Sequence, residues 1–166
     1  MSMKNFEISS KLGEGAFSSV FKAKRISDGQ VYAIKKVKMT KLSDREKQNA
    51  VNEVRILASI NHPNIIGYKE AFFEDQSSSL CIVMEFADGG DLTSIINSHK
   101  KKNSKFTEKE IWHFFVQIVR GIKALHELKI CHRDIKAANL FVTKDGVIKL
   151  GDLNVSKVNK RGLLHT

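Results

Sequence analysis

The sequence predicts an α+β domain, and three observations carry that prediction. The first third alternates apolar and polar residues at the period of β-strands. After Ser43 the pattern switches to helical periodicity. The remainder is dominated by one long periodic helix, followed by short strands and loops.

The elements follow in order. "NFEISSKLGEG" reads as a strand entering a glycine turn. In "SSVFKAKRI", Val20, Lys22 and Lys24 alternate with Phe21 and Ala23. "SDG" is a hairpin signal, and "QVYAIKKV" is the next strand. "SDREKQNAVNEVRILASI" is helical, with Ala50, Val51, Val54, Leu57 and Ala58 on one face. Ser43 is its N-cap, and Glu46 completes a capping box. That helix must stop before Pro63, the only proline. "NIIGYKEAFFED" and "SLCIVMEF" predict two more strands around the turn "QSSS".

A short helix is expected at "DLTSIINSHKK" and a long one at "FTEKEIWHFFVQIVRGIKALHEL". The long helix has a capping box at Thr107 and Glu110. Its stripe is Ile111, Phe114, Phe115, Ile118, Ile122 and Leu125. Trp112, Val116 and Val119 fall outside that stripe, so the helix is apolar on more than one face. "KICHRDIKAANLFVTKDGVIKLGD" reads as short strands and loops with a hairpin turn at "KDG".

Composition narrows the function classes. The chain has 166 residues, 42% hydrophobic and 28% charged, a globular balance. It has no run of the roughly 18 apolar residues that spans a bilayer, and no secretory signal at its start. Cys81 and Cys131 lack disulfide or metal spacing, which favours a reducing, intracellular compartment, and without a bilayer-spanning run no membrane partner is expected. The net charge of +10 is spread along the chain. Its one dense run, His99 to Lys105, has no interleaved aromatics for stacking bases, so no nucleic-acid partner is expected.

Three groups of residues carry chemistry. "LGEGAFSSV" comprises Leu12, Gly13, Glu14, Gly15, Ala16, Phe17, Ser18, Ser19 and Val20. It places two glycines at a strand-to-strand turn, where backbone amides can approach an anion. No helix follows, which argues against a dinucleotide fingerprint. Lys35 lies mid-strand beside apolar neighbours and needs a carboxylate, and Glu53 sits on the apolar side of the next helix. "HRDIKAAN" combines Asp134, Lys136 and Asn139. They suit proton acceptance, phosphate neutralisation and metal ligation, and Asp152 offers a second metal ligand further on.

The ordered set "GEGAFSSV", "YAIK", "HRDIKAANLF" and "GDLN" resembles the eukaryotic protein kinases. "NEVRILASINHPNIIGYKEAFFED" and "CIVMEFADGGDL" resemble the NIMA-related serine/threonine branch. The resemblance implies a complete N-lobe over 1–85, a five-stranded antiparallel sheet plus one helix. It implies a partial, mainly helical C-lobe over 86–166, ending in the activation segment. ATP and Mg2+ would be the cofactors. Lys35 would hold the α- and β-phosphates and pair with Glu53. Asp134 would be the catalytic base, with Lys136 at the γ-phosphate, and Asn139 and Asp152 would bind magnesium. Met84, Glu85, Phe86 and Ala87 would form gatekeeper and hinge. Asp91 would meet the ribose, and Val20, Ala33 and Phe141 the adenine. The resemblance also implies a cytoplasmic location and partners that are proteins with serine or threonine acceptors, with microtubule- or cilium-associated partners on family grounds.

The sequence departs from the family pattern in three places. Ser18 replaces a loop glycine, and Ala137 stands where proline is common. "Asp152-Leu153-Asn154" replaces Asp-Phe-Gly. Leu153 keeps an apolar packing residue, and Asn154 is a residue that tolerates positive φ. The metal ligand Asp152 is intact, so the reading is an enzyme with an altered hinge. The alternative is a truncated or pseudokinase-like ATP-binding module without transfer activity, and residues 1–166 by themselves are expected to bind ATP with negligible transfer. Helices that the family has downstream would face the long helix, so an exposed apolar patch is expected there.

Overall fold

The computed structural model describes residues 2–153 and the backbone of residues 157–158, apart from the side chain of Glu53. The chain divides into two compact units. One is Met1–Ser59 with Gly67–Phe86, and the other is Ile60–Ile66 with Ala87–Thr166.

The first unit is built on strands β1 (Phe6–Glu14), β2 (Ser18–Arg25), β3 (Val31–Lys38), β4 (Tyr68–Glu74) and β5 (Ser79–Glu85). They form one antiparallel sheet in the order β1-β2-β3-β5-β4. Register sorts the side chains onto two faces. Val20 pairs with Lys35, Lys22 with Ala33, and Ala33 with Met84. Directly paired residues share a face, so one face carries Val20, Lys22, Ala33, Lys35, Ile82 and Met84. The other carries the buried cluster Phe6, Ala23, Tyr32, Ile34, Cys81 and Val83. Arg25 pins that second face. Its guanidinium lies 4.3 Å from the Tyr32 ring centroid and 5.4 Å from that of Phe6. It also bonds Asp28 at 2.9 Å and Glu70 on β4.

Helix α1 (Asp44–Ala58) starts on the expected box, with Ser43 as N-cap and Glu46 reaching back to it. Ala50, Ile56 and Leu57 are buried and Val54 is half-buried, whereas Val51 and Ala58 are exposed. The expected stripe is thus rotated. At 100° per residue Val51 and Ala58 lie at the edge of the arc centred on Ala50 and Leu57.

The second unit contains α2 (Leu92–Lys101), α3 (Glu108–Glu127) and the short strands β6 (Ile130–Cys131), β7 (Leu140–Val142), β8 (Ile148–Leu150) and β9 (Lys157–Val158). β7 pairs with β8 across the expected "KDG" turn, where Gly146 has φ +80°, and β6 pairs with β9. Ile60–Ile66 belongs here because Ile66 N donates to Leu150 O at 2.8 Å and Leu150 N to Asn64 O at 2.9 Å.

The stripe expected on α3 is also corrected. Its buried residues are Gln117, Gly121 and Leu125, spaced i, i+4, i+8. Phe114, Ile118 and Ile122 are half-buried, and Ile111 and Phe115 are more than half exposed. Gln117 is the hub of this face. Its Oε1 accepts from Ile148 N at 3.0 Å and Asn64 Nδ2 at 3.1 Å, and its Nε2 donates to Gly146 O at 3.1 Å. Gly121 allows the close approach, since a Cβ there would lie 2.7 Å from both Asn64 O and Leu150 Cδ1. Trp112, Val116 and Val119 are exposed, as the expected apolar patch requires.

Candidate active site

Within the second unit, β6 delivers the chain into the loop that carries Asp134. His132 is almost fully buried, and its Nε2 lies 2.9 Å from Gly151 O. Its Nδ1 lies 3.4 Å from Asp134 N. A ring protonated on Nε2 satisfies both contacts, donating to Gly151 and accepting from Asp134. One imidazole thus ties the loop to the residue before Asp152.

Arg133 has φ +70° and Asp152 has φ +55°. Both are left-handed conformations that non-glycine residues seldom adopt, and such positions cluster where function holds them. Asn154, at which the sequence placed this requirement, lies outside the described residues. Leu153, expected as a packing residue, is 1% exposed.

Asp134 is the centre of a three-residue network. Its Oδ2 accepts from Lys136 Nζ at 2.8 Å and from Asn139 Nδ2 at 2.9 Å. Asn139 Nδ2 also donates to Asp134 O at 2.9 Å. The Lys136 hydrogen bond, with that from Asn139, holds the Asp134 carboxyl below the usual aspartate range. The Asp134 carboxylate in turn raises the Lys136 ammonium. The amide nitrogen of Asn139 is committed to Asp134, so Oδ1 is the atom left to ligate a cation. Gly151 N donates to Asn139 O at 3.0 Å, which ties Asn139 to the residue before Asp152. Amide and carboxylate oxygens are hard donors. They fit magnesium, which keeps waters and substrate phosphates as its other ligands.

The expected ribose and adenine contacts of this unit are held by β7. Gly89 N donates to Val142 O and Val142 N to Gly90 O, each at 2.8 Å. Asp91 therefore forms a β-bridge with Phe141. Asp91 has a local duty that the sequence reading missed. It is the N-cap of α2, accepting from Ser94 N and Ser94 Oγ, each at 2.9 Å. Phe141 packs tightly on Gly151, where a Cβ would come within 2.5 Å of its ring. Ala87 is buried.

In the first unit, Leu12, Gly13 and Glu14 end β1, and Ser18, Ser19 and Val20 begin β2. Gly15 N donates to Ser18 O at 2.7 Å and closes the turn through Ala16 and Phe17. Gly13 and Gly15 are absent from the positive-φ positions. Gly13 supplies space instead, for a Cβ there would meet no atom within 4 Å. Glu14 pairs with Lys11 at 2.7 Å. Lys35 is 7% exposed on the face that also carries Val20, Ala33 and Met84. The Glu53 side chain, its expected partner, lies outside the described residues. At the end of β5, Glu85 N donates to Gly67 O at 2.8 Å. Lys22 Nζ sits 4.7 Å from the Phe86 ring centroid, a cation–π contact the sequence reading did not anticipate. The signal was there, since Lys22 is two residues from Val20 on the same face.

The protein kinase domain family matches residues 6–165. The chain belongs to the protein kinase family. This kinase domain is 44% identical over 148 residues to mouse serine/threonine-protein kinase Nek1, covering 89% of the chain and 12% of that protein. It is 38% identical over 164 residues to the probable serine/threonine-protein kinase nek2 of Dictyostelium discoideum, covering 97% and 39%. It is 40% identical over 157 residues to human serine/threonine-protein kinase Nek5, covering 94% and 22%. The kinase domain thus spans well under half the length of these NIMA-related relatives.

Proposed function

We propose that this chain transfers the γ-phosphoryl group of ATP to serine or threonine hydroxyls of proteins. The observation that carries the reading is the Asp134 network. Oδ2 takes the bonds from Lys136 and Asn139, and Oδ1 remains to accept the proton of an incoming hydroxyl. The depressed pKa keeps Asp134 ionised and ready to act as base. Lys136 supplies positive charge beside the transferred group. Asn139 Oδ1 and Asp152 would hold Mg2+, which neutralises charge on the phosphates when bound. Lys35 would meet the α- and β-phosphates, with the amides of the Gly13–Ser18 turn beside them. Glu53 would pair with Lys35. Val20, Ala33 and Phe141 would flank the adenine, and Met84 to Ala87 would offer it backbone groups. Asp91 would contact the ribose with the lone pairs its capping bonds leave open. A cytoplasmic location with cytoskeletal partners belongs to the same proposal on family resemblance alone, and imaging a fluorescent fusion checks it.

The test is transfer from γ-labelled ATP to casein, with ATP affinity measured by calorimetry on the same sample. Asp134→Asn should lower transfer by about 10²–10⁴-fold and leave ATP affinity nearly unchanged. Lys35→Met should weaken both. Near-normal turnover in Asp134→Asn refutes the base. ATP binding with no transfer in the parent chain would instead support the nucleotide-binding module.

A further inference from the structure

Phe86 lies one residue past the end of β5, where the ladder with β3 stops at the pair Tyr32–Glu85. Glu85 is still pinned by the backbone, since its N donates to Gly67 O at 2.8 Å. At Phe86 a side-chain restraint takes over. Its ring centroid lies 4.7 Å from Lys22 Nζ on β2, within the first unit. Phe86 and Lys22 are both half-buried, whereas Lys24, the other lysine of β2, is exposed. Lysine is a poor strand residue. Lys22 nevertheless stands on the face that carries Val20, Ala33 and Met84, directly paired with Ala33. Among the described residues it forms no ion pair. A half-buried ammonium without a carboxylate keeps its charge by taking an aromatic face instead.

We infer that Lys22 is a positioning residue for the nucleobase: its ammonium holds the Phe86 ring and so fixes the Phe86 backbone that adenine meets. This rests on the reading that Met84 to Ala87 offer backbone groups to adenine. A peptide group bonds the edge of a flat base only from a narrow range of directions. A segment that already holds that geometry avoids an ordering cost on binding. Without the ammonium, the Phe86 ring gains rotamers, and its backbone, beyond the last strand pair, gains freedom with it. The effect should match one cation–π contact at a partly exposed site, about two- to fivefold in affinity. It should be equal for every ligand that carries the adenine, with or without phosphates. That separates positioning from charge attraction, which would favour ATP alone.

Binding of adenosine, and of ATP with Mg2+, to the whole chain is measured by calorimetry. Lys22→Met keeps the length of the side chain and removes the charge. It should weaken both ligands about two- to fivefold, by the same factor. Lys22→Gln is a second neutral variant should methionine not be accommodated. Lys22→Arg should keep the parent's affinity, because a guanidinium also binds an aromatic face. Phe86→Leu should cost as much as Lys22→Met, and the double variant no more than either single change. Carbon-13 NMR of labelled lysine reads the contact itself. The ring should shift the Lys22 ε-methylene in the parent and not in Phe86→Leu. Circular dichroism checks that each variant stays folded. A loss for ATP with adenosine unchanged overturns the inference, and so do losses that multiply in the double variant or an absent ring shift. If the parent binds neither ligand, the adenine reading fails and this inference with it. Adenosine binding by the parent that neither neutral variant weakens overturns this inference alone.

Discussion

Replacing Gln117 with leucine tests how the long helix is seated. By sequence pattern alone the change is favourable, because it puts a strong helix former and an apolar side chain into an apolar helix. The structure reverses that expectation. Gln117 is 9% exposed, and its Oε1 accepts from Ile148 N at 3.0 Å and Asn64 Nδ2 at 3.1 Å. Leucine would leave the buried Ile148 N–H without an acceptor, at a cost of about 1–3 kcal/mol. Gly146 O would lose the donor at 3.1 Å but keeps His113 Nε2 at 3.2 Å, so that loss is small. Asn64 Nδ2 keeps its second bond, to Ile148 O at 2.9 Å, so it adds little. Added apolar burial offsets only part of this, because polar atoms line the site. The net loss is about 1–2 kcal/mol, which lowers Tm by roughly 2–8 °C for a chain of this size. Thermal melts followed by circular dichroism and Trp112 emission measure it. A Tm equal to or above the parent's would refute the hub, and would mean that Ile148 N–H finds another acceptor.

Other outcomes follow from the same geometry. Gly121→Ala should destabilise by about 1–2 kcal/mol in urea unfolding, although alanine gains about 1 kcal/mol of helix propensity. The added methyl would press on the Asn64 carbonyl, and an unchanged or raised midpoint would count against that contact. Burial, with the Glu74 carboxylate, pushes the Cys81 thiol up to about 11. Iodoacetamide at neutral pH should therefore modify the half-buried Cys131 well before Cys81, as read by peptide mass mapping. Asp134 titrates below the usual aspartate range, so its carboxylate persists as the pH falls through that range and the Lys136 bond breaks only in stronger acid. In Lys136→Met the titration should move up toward the ordinary value, as followed by carbon-13 NMR. No upward movement would mean that Lys136 does not set it.

Sequence alone determined the elements and most of the chemistry. Strand alternation, capping boxes at Ser43 and Thr107 and the turn at Gly146 are local rules, readable wherever the chain meets them. The chemistry of "HRDIKAAN" is legible for the same reason, since Asp134, Lys136 and Asn139 lie close enough in sequence for one loop to gather them. What the tertiary structure decided is which face of each helix is inside. Only Leu125 of the apolar stripe on α3 is fully buried, and Ile111 and Phe115 point outward, because the centre of the buried face follows hydrogen-bond demand from β8 and the Asn64 segment. A glutamine meets that demand and a glycine leaves room for the Asn64 carbonyl, and no hydrophobic count finds them. The structure also decided that His132 joins the Asp134 loop to Gly151, a contact across 19 residues. It also set the left-handed backbone at Asp152, φ +55°, one residue from the Gly151 carbonyl that His132 holds. Apolar patterning measures how much surface can leave water, whereas only the assembled fold fixes where buried polar groups find partners.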